Sequence, residues 1–171
     1  MERVREQWAQ RLPDVDTSAA DVAARVRRIA GLLGAELDTE LSGRPGPAGA
    51  AGSVGHGVTR PELDVLTALR RTGRPLRAGE VTTMTGAPGA SITKRLDRLE
   101  HAGLVERTVL ERDRRGVVVD LTDAGRELVD ELFPRQVALE AEALADLTDA
   151  ERAELARLLA VVLRRLDPVE Y

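Results

Sequence analysis

The run Ser91-Ile92-Thr93-Lys94-Arg95-Leu96-Asp97-Arg98-Leu99-Glu100, followed closely by Asp113-Arg114-Arg115-Gly116-Val117-Val118-Val119-Asp120-Leu121-Thr122, constrains this chain more than any other feature. In the first stretch Ile92, Leu96 and Leu99 recur at helical spacing and leave a polar, cationic outer face. The second is the far half of a hairpin whose near strand is Leu104 to Leu110 and whose turn is rich in arginine. A helix that runs into a basic hairpin has the layout of a winged helix-turn-helix. Such a helix can enter a major groove while the wing reaches the neighbouring minor groove.

Charge is distributed in keeping with that layout. The net charge is −4, yet Arg60 to Gly116 holds 12 Lys/Arg against 8 Asp/Glu, so a basic middle lies between acidic ends. Lys94 is the only lysine. With aromatics at 2%, the core must be built from Leu, Val, Ala and Ile. Cysteine is absent, which excludes disulfides, thiolate metal sites and thiol redox sensing. Two histidines, His56 and His101, cannot by themselves hold a zinc ion, so neither metal nor cofactor is expected. No apolar run approaches the ~20 residues of a membrane span, and Met1 to Glu6 leads into no apolar core of the kind a signal peptide has. A cytoplasmic protein is the expectation. No nucleophile–base pair or phosphate loop argues for an enzyme.

Along the chain, a short helix over 2–11 carries Trp8, and a second, capped by Thr17 or Ser18, runs to about Leu41. Its apolar stripe, Val22, Val26, Ile29, Leu33 and Leu37, predicts a buried face. Residues 43–57 are Gly/Pro-rich, a loop composition. Thr59-Arg60-Pro61-Glu62 is a capping box with proline in the first turn. It opens a helix over 61–71 that buries Leu63, Leu66 and Leu69. A poor helix former follows at 78–85. The recognition helix opens at Pro88 and stops at Gly103. Thr122 caps a long helix to about 146, with a kink predicted at Pro134. Thr148 and Glu151 box a final helix bearing Leu155, Leu158, Leu159, Val162 and Leu166. The predicted organisation is N-terminal helices over 1–42, a loop over 43–57, a winged helix-turn-helix over 58–122 and C-terminal dimerisation helices over 123–171. The terminal helices carry more apolar surface than so small a DNA module can cover, which predicts a homodimer.

Leu63 to Arg71, Arg95 to Val105, Asp113-Arg114-Arg115 and Leu121-Thr122-Asp123-Ala124-Gly125 together resemble the MarR family of transcriptional regulators, over nearly the whole chain. The resemblance implies a mainly α fold with a small β-hairpin wing, built as an intertwined homodimer. It implies a regulator, most simply a repressor, that binds a pseudo-palindromic operator in double-stranded DNA and is released by a small molecule. Gln7 to Asp16 is similar to the N-terminal extension of the urate-responsive branch of PecS type. That branch binds urate through one Trp, one Asp and two Arg. The matching positions are Trp8, Asp64, Arg71 and Arg95. Leu12 stands where the branch usually has Arg, the 43–57 loop is longer, and the 78–85 helix lacks the usual Ser/Thr cap.

Physical chemistry leaves two readings of those positions. Asp64 and Arg71 are two turns apart on one helix face, and are either solvated charges or the lining of a pocket. Trp8 is either a packing anchor or a flat cover for a ring. Two guanidiniums suit a planar anion; another small carboxylate or a phenolic compound would suit them too. In the recognition helix Ser91, Thr93, Lys94 and Arg98 lie off the apolar stripe and can reach bases or phosphates, with a surface ion pair the alternative for Arg98. In the wing, Arg115 suits a narrow minor groove and Arg112 or Arg114 the phosphates. A helical dimerisation module that binds no DNA is the alternative from another class.

Overall fold

The structure is a computed structural model that describes residues 2–42, 57–109 and 117–167. Arg112, Arg114 and Arg115 of the expected wing tip, and His56, lie outside the described residues. The chain divides into two compact units, residues 1–36 and 37–171.

In the first unit, α1 (Glu2–Arg11) is joined by a short turn to α2 (Ser18–Ser42), whose last residues belong to the second unit. The turn closes with Leu12 N–H donating to the Trp8 carbonyl at 2.8 Å. The first free N–H of α2 is met by Asp16, whose Oδ1 accepts from Ser18 N–H at 2.9 Å. Neither Thr17 nor Ser18 supplies that side-chain acceptor. The expected burial of Val22, Val26 and Ile29 is not found: they are exposed by 58, 44 and 52%. Leu33 is half-buried, and Leu37 and Leu41 are buried. The stripe has the spacing of a packed face but nothing in its own unit to cover it.

The second unit is built around α3 (Arg60–Thr72), α4 (Ala78–Thr85), α5 (Gly89–His101) and a three-stranded antiparallel sheet, with α6 (Asp123–Ala143) and α7 (Asp149–Leu166) following. The strands β1 (Leu76–Arg77), β2 (Val105–Val109) and β3 (Val117–Leu121) lie in the order β1-β3-β2. Val105 faces Leu121 and Val109 faces Val117, while Leu76 faces Val119. The hairpin is therefore the one the sequence predicts, and β1 is an addition. Two residues with no apolar alternation give no strand signal of their own; β1 exists because the exposed edge of β3 offers it partners.

One apolar cluster holds this unit together: Val65, Leu66 and Leu69 of α3, Val81 of α4, Ile92, Leu96 and Leu99 of α5, with Leu76, Leu104, Val119, Leu121 and Val129. Leu63, Leu132, Leu37 and Leu41 form a second cluster. The capping box at Thr59 is present, with Glu62 Oε2 accepting from Thr59 N–H at 2.8 Å and its hydroxyl at 2.7 Å. In α4, where Ser or Thr is missing, Glu80 supplies the cap by accepting from Arg77 N–H at 2.8 Å. Gly103, at φ 70°, takes the left-handed turn that a β-carbon would strain and lets the chain leave α5 for β2.

At the head of α6, Thr122 Oγ1 accepts from Gly125 N–H at 3.0 Å and donates to the Gly103 carbonyl at 2.7 Å. Gly125 is buried there; a Cβ on it would run into the Leu104 carbonyl oxygen. Pro134 does not end α6, although it removes the N–H that the Asp130 carbonyl would accept. α7 opens on the predicted Thr148–Glu151 box, at 2.8 Å and 3.3 Å. It contains no buried residue, and Leu158, Leu159, Val162 and Leu166 are all at least 42% exposed. Among the described residues no helix is long and apolar enough to cross a membrane.

Candidate functional site

Orientation of α5 is decided by packing. Ile92, Leu96 and Leu99 are buried to 2% exposure or less against α3, α4 and the sheet. Each such side chain is worth on the order of 2 kcal/mol, whereas an exposed ion pair gives roughly 0–1 kcal/mol. The apolar stripe therefore fixes which side of α5 faces out. Away from that stripe Thr93, Lys94 and Arg98 are exposed; Ser91 is half-buried, and so is Arg95, which flanks the stripe. Thr93 also bonds the Gly89 carbonyl at 3.3 Å. Of the DNA-facing set expected on the helix, Thr93, Lys94 and Arg98 are exposed and Ser91 is half-buried, while Arg112, Arg114 and Arg115 fall outside the described residues.

Ion pairs then hold α5 to its neighbours. Arg107 of β2 donates to Asp97 Oδ1 at 2.6 Å and lies 3.4 Å from Glu100 Oε2. This tie between wing strand and recognition helix went unread in the sequence, because a charged strand residue carries no signal of its partner. Arg98 Nε is 3.0 Å from Glu62 Oε1. Glu62 is buried to 6% exposure, and its carboxylate also caps α3. Thr59-x-x-Glu62 was legible as a cap, but its second duty to α5 was not.

The four positions expected to contact a ligand are placed as follows. Trp8 is half-exposed on α1, in the first unit. The other three belong to the second unit. Asp64 keeps an exposed outer edge, yet the protein packed round its carboxyl pushes its pKa above the ordinary aspartate range. Desolvation is the main cause; Arg60 and Arg95 pull the other way, and Glu140 adds a smaller upward push. Asp64 and Arg95 are thus close enough to feel each other across α3 and α5. Arg60, not anticipated, joins them, and its Nε is buried with no hydrogen-bond partner among the described residues.

Arg71 lies two turns further along α3, roughly 10 Å by helical rise. It lines a cleft of about 290 Å³ between α3 and α6 with Thr67, Arg70, Val129, Asp130, Phe133 and Pro134. The cleft wall is pinned by Arg70, whose Nε and Nη2 donate to the two oxygens of Asp130 at 2.8 and 3.0 Å. Arg71 itself has no ion-pair partner among the described residues. Thr67 Oγ1 is buried without a hydrogen-bond partner there. The cleft presents a mainly apolar wall that includes Phe133, with Arg71 at its edge, while the Thr67 hydroxyl lies sealed beneath its surface.

Comparison with known proteins supplies the family. The profile of the MarR family matches residues 56–116. The chain is similar to the HTH-type transcriptional regulator PecS of Dickeya dadantii, at 29% identity over 94% of this chain and 91% of that one. It is similar to the HTH-type transcriptional repressor MdtR of Bacillus subtilis, at 33% identity over 61% of this chain and 66% of that one. Among solved structures, Bordetella bronchiseptica BpsR, whose DNA binding is regulated by 6-hydroxynicotinic acid, superposes with a TM-score of 0.67 at 26% identity, covering 83% of this chain and 98% of that one.

Proposed function

Because the chain belongs to the MarR family of transcriptional regulators, we propose that it is a repressor that binds a pseudo-palindromic operator as a homodimer and is released by a small planar anion. One observation carries the DNA half of this reading: α5 buries Ile92, Leu96 and Leu99 and turns Thr93, Lys94 and Arg98 outward, ahead of a hairpin. Ser91 sits at its opening turn. Arg112, Arg114 and Arg115 complete the reading surface as wing contacts. The apolar stripes of α2 and α7 supply the dimer contact. Likeness to MdtR, a transcriptional repressor, favours repression.

For the ligand half, Arg71 is the anion partner, at the edge of a mainly apolar cleft with Phe133 to stack against. Asp64 and Arg95 form the link to α5. A ligand moves DNA affinity only through its different affinity for the two states; seated at Arg71, two turns of α3 from Asp64, it acts on α5 by way of α3 and the Asp64–Arg95 pair rather than by touching Arg95. Urate is the first ligand to try, from the likeness to the PecS-type branch. An aromatic hydroxy-acid is the second, favoured by what regulates BpsR.

A mobility-shift assay on the promoter beside the protein's own gene tests both halves. Half-sites about 10 bp apart are expected. Arg115→Ala should cost on the order of 1–3 kcal/mol in operator affinity. Urate or 6-hydroxynicotinic acid should release the DNA, and Arg71→Ala should bind operator normally but ignore the ligand. Release that survives Arg71→Ala would move the ligand out of the α3–α6 cleft. No shift on any duplex would end the DNA reading.

A further inference from the structure

We propose that Glu62 is a positioning residue for DNA binding: from its buried place at the head of α3 it holds Arg98 of the recognition helix ready for a backbone phosphate. The inference rests on the reading of α5 as the DNA-facing helix.

Three observations lead to it. First, Glu62 is 8% exposed at its side chain while Arg98, 3.0 Å away, is 64% exposed. The pair is buried on the carboxylate side only. Second, the carboxylate is itself immobile. Its other oxygen accepts from both the N–H and the hydroxyl of Thr59, and it sits in the first turn of α3, where the helix dipole favours a negative charge. Third, Arg98 lies on the outward side of α5 with Lys94, one helical turn away.

A long arginine side chain in water has many rotamers to give up when it grips a phosphate. Arg98 has already given most of them up to a fixed anion behind it. Its guanidinium keeps an open side, and a planar fork of donors can serve two anions at once. The opposing effect is charge: a carboxylate beside an arginine lowers the attraction for DNA. Glu62 is buried behind α5 and tied to Thr59, so we take the ordering to outweigh it.

The substitution that separates these effects is Glu62→Gln. Gln still serves in a capping box, so α3 keeps its start, but the ion pair is lost. Binding is measured on a mixed-sequence duplex of about 30 bp, three helical turns, across a salt series, for the wild type, E62Q, R98A and E62Q/R98A. Thermal melts verify that each is folded. E62Q should bind roughly fivefold more weakly, the effect of about one kcal/mol, with an unchanged salt slope. R98A should weaken binding and lower the salt slope by about one phosphate contact. In the R98A background, adding E62Q should change little. Equal or tighter binding by E62Q overturns the proposal, because charge would then outweigh ordering. An unchanged slope in R98A overturns it too, since Arg98 would touch no phosphate. So does an E62Q loss that persists without Arg98. A wild type that binds no duplex under any salt would overturn the reading of α5 itself along with the inference.

Discussion

Single residues in this protein are tuned by what lies behind them rather than by their own type. Asp64 shows it most directly. Packing raises its carboxyl pKa in spite of Arg60 and Arg95. A raised carboxyl pKa means that the folded chain holds the proton more tightly than the unfolded chain does. The ionised form therefore costs stability at neutral pH, and the cost fades as pH falls through the raised value. Asp64→Asn should raise the melting temperature at pH 7, and the gap to the wild type should shrink as the solution is acidified. A gap that widens in acid would show that the carboxylate is stabilising instead. The family resemblance, and not the charge pattern, made Asp64, Arg71 and Arg95 visible. It could not make Arg60 visible, or divide Asp64 and Arg95 from Arg71. Those facts depend on which neighbours close over each group, and helical spacing says only which face they share.

At the scale of elements, the head of α6 is the most tightly specified junction. Thr122 is joined both to Gly125 and to Gly103, and Gly125 lies against the Leu104 backbone. Gly125→Ala must push helix and turn apart, because the obstructing atom is backbone and cannot rotate away. It should cost about 1–3 kcal/mol by the usual scale of overpacking, read from the urea midpoint. Thr122→Ala should cost about 1 kcal/mol, as cap losses do. A Gly125→Ala protein as stable as the wild type would mean that the approach of α6 to Leu104 is looser than described. The helices, the hairpin and the three capping residues Thr59, Thr122 and Thr148 were legible because each has a local signature: apolar period, alternation, or Thr followed by an acid. The cap of α4 was not, since Glu80 reaches back to Arg77 with no Ser or Thr to announce it. β1 was not either, because its partner lies some forty residues away in sequence. In α2, periodicity correctly marked an apolar face, yet a stripe of Val and Ile does not say what it is buried against.

For the molecule as a whole, that unanswered stripe returns in α7, which has eighteen residues and none buried. Sedimentation velocity should give a dimer at micromolar concentration, and replacing Leu158 and Leu159 by Glu should shift it towards monomer or unfold it. A folded wild-type monomer at that concentration would defeat the dimer reading. If α7 closes on a second copy, folding and pairing become one equilibrium, and the protein's stability is no longer a constant of its sequence. Its melting point should climb with concentration, as mass action requires. Copy number would then govern survival as well as operator occupancy: a cell holding few molecules would hold proportionally more single chains, with α7 open to proteases.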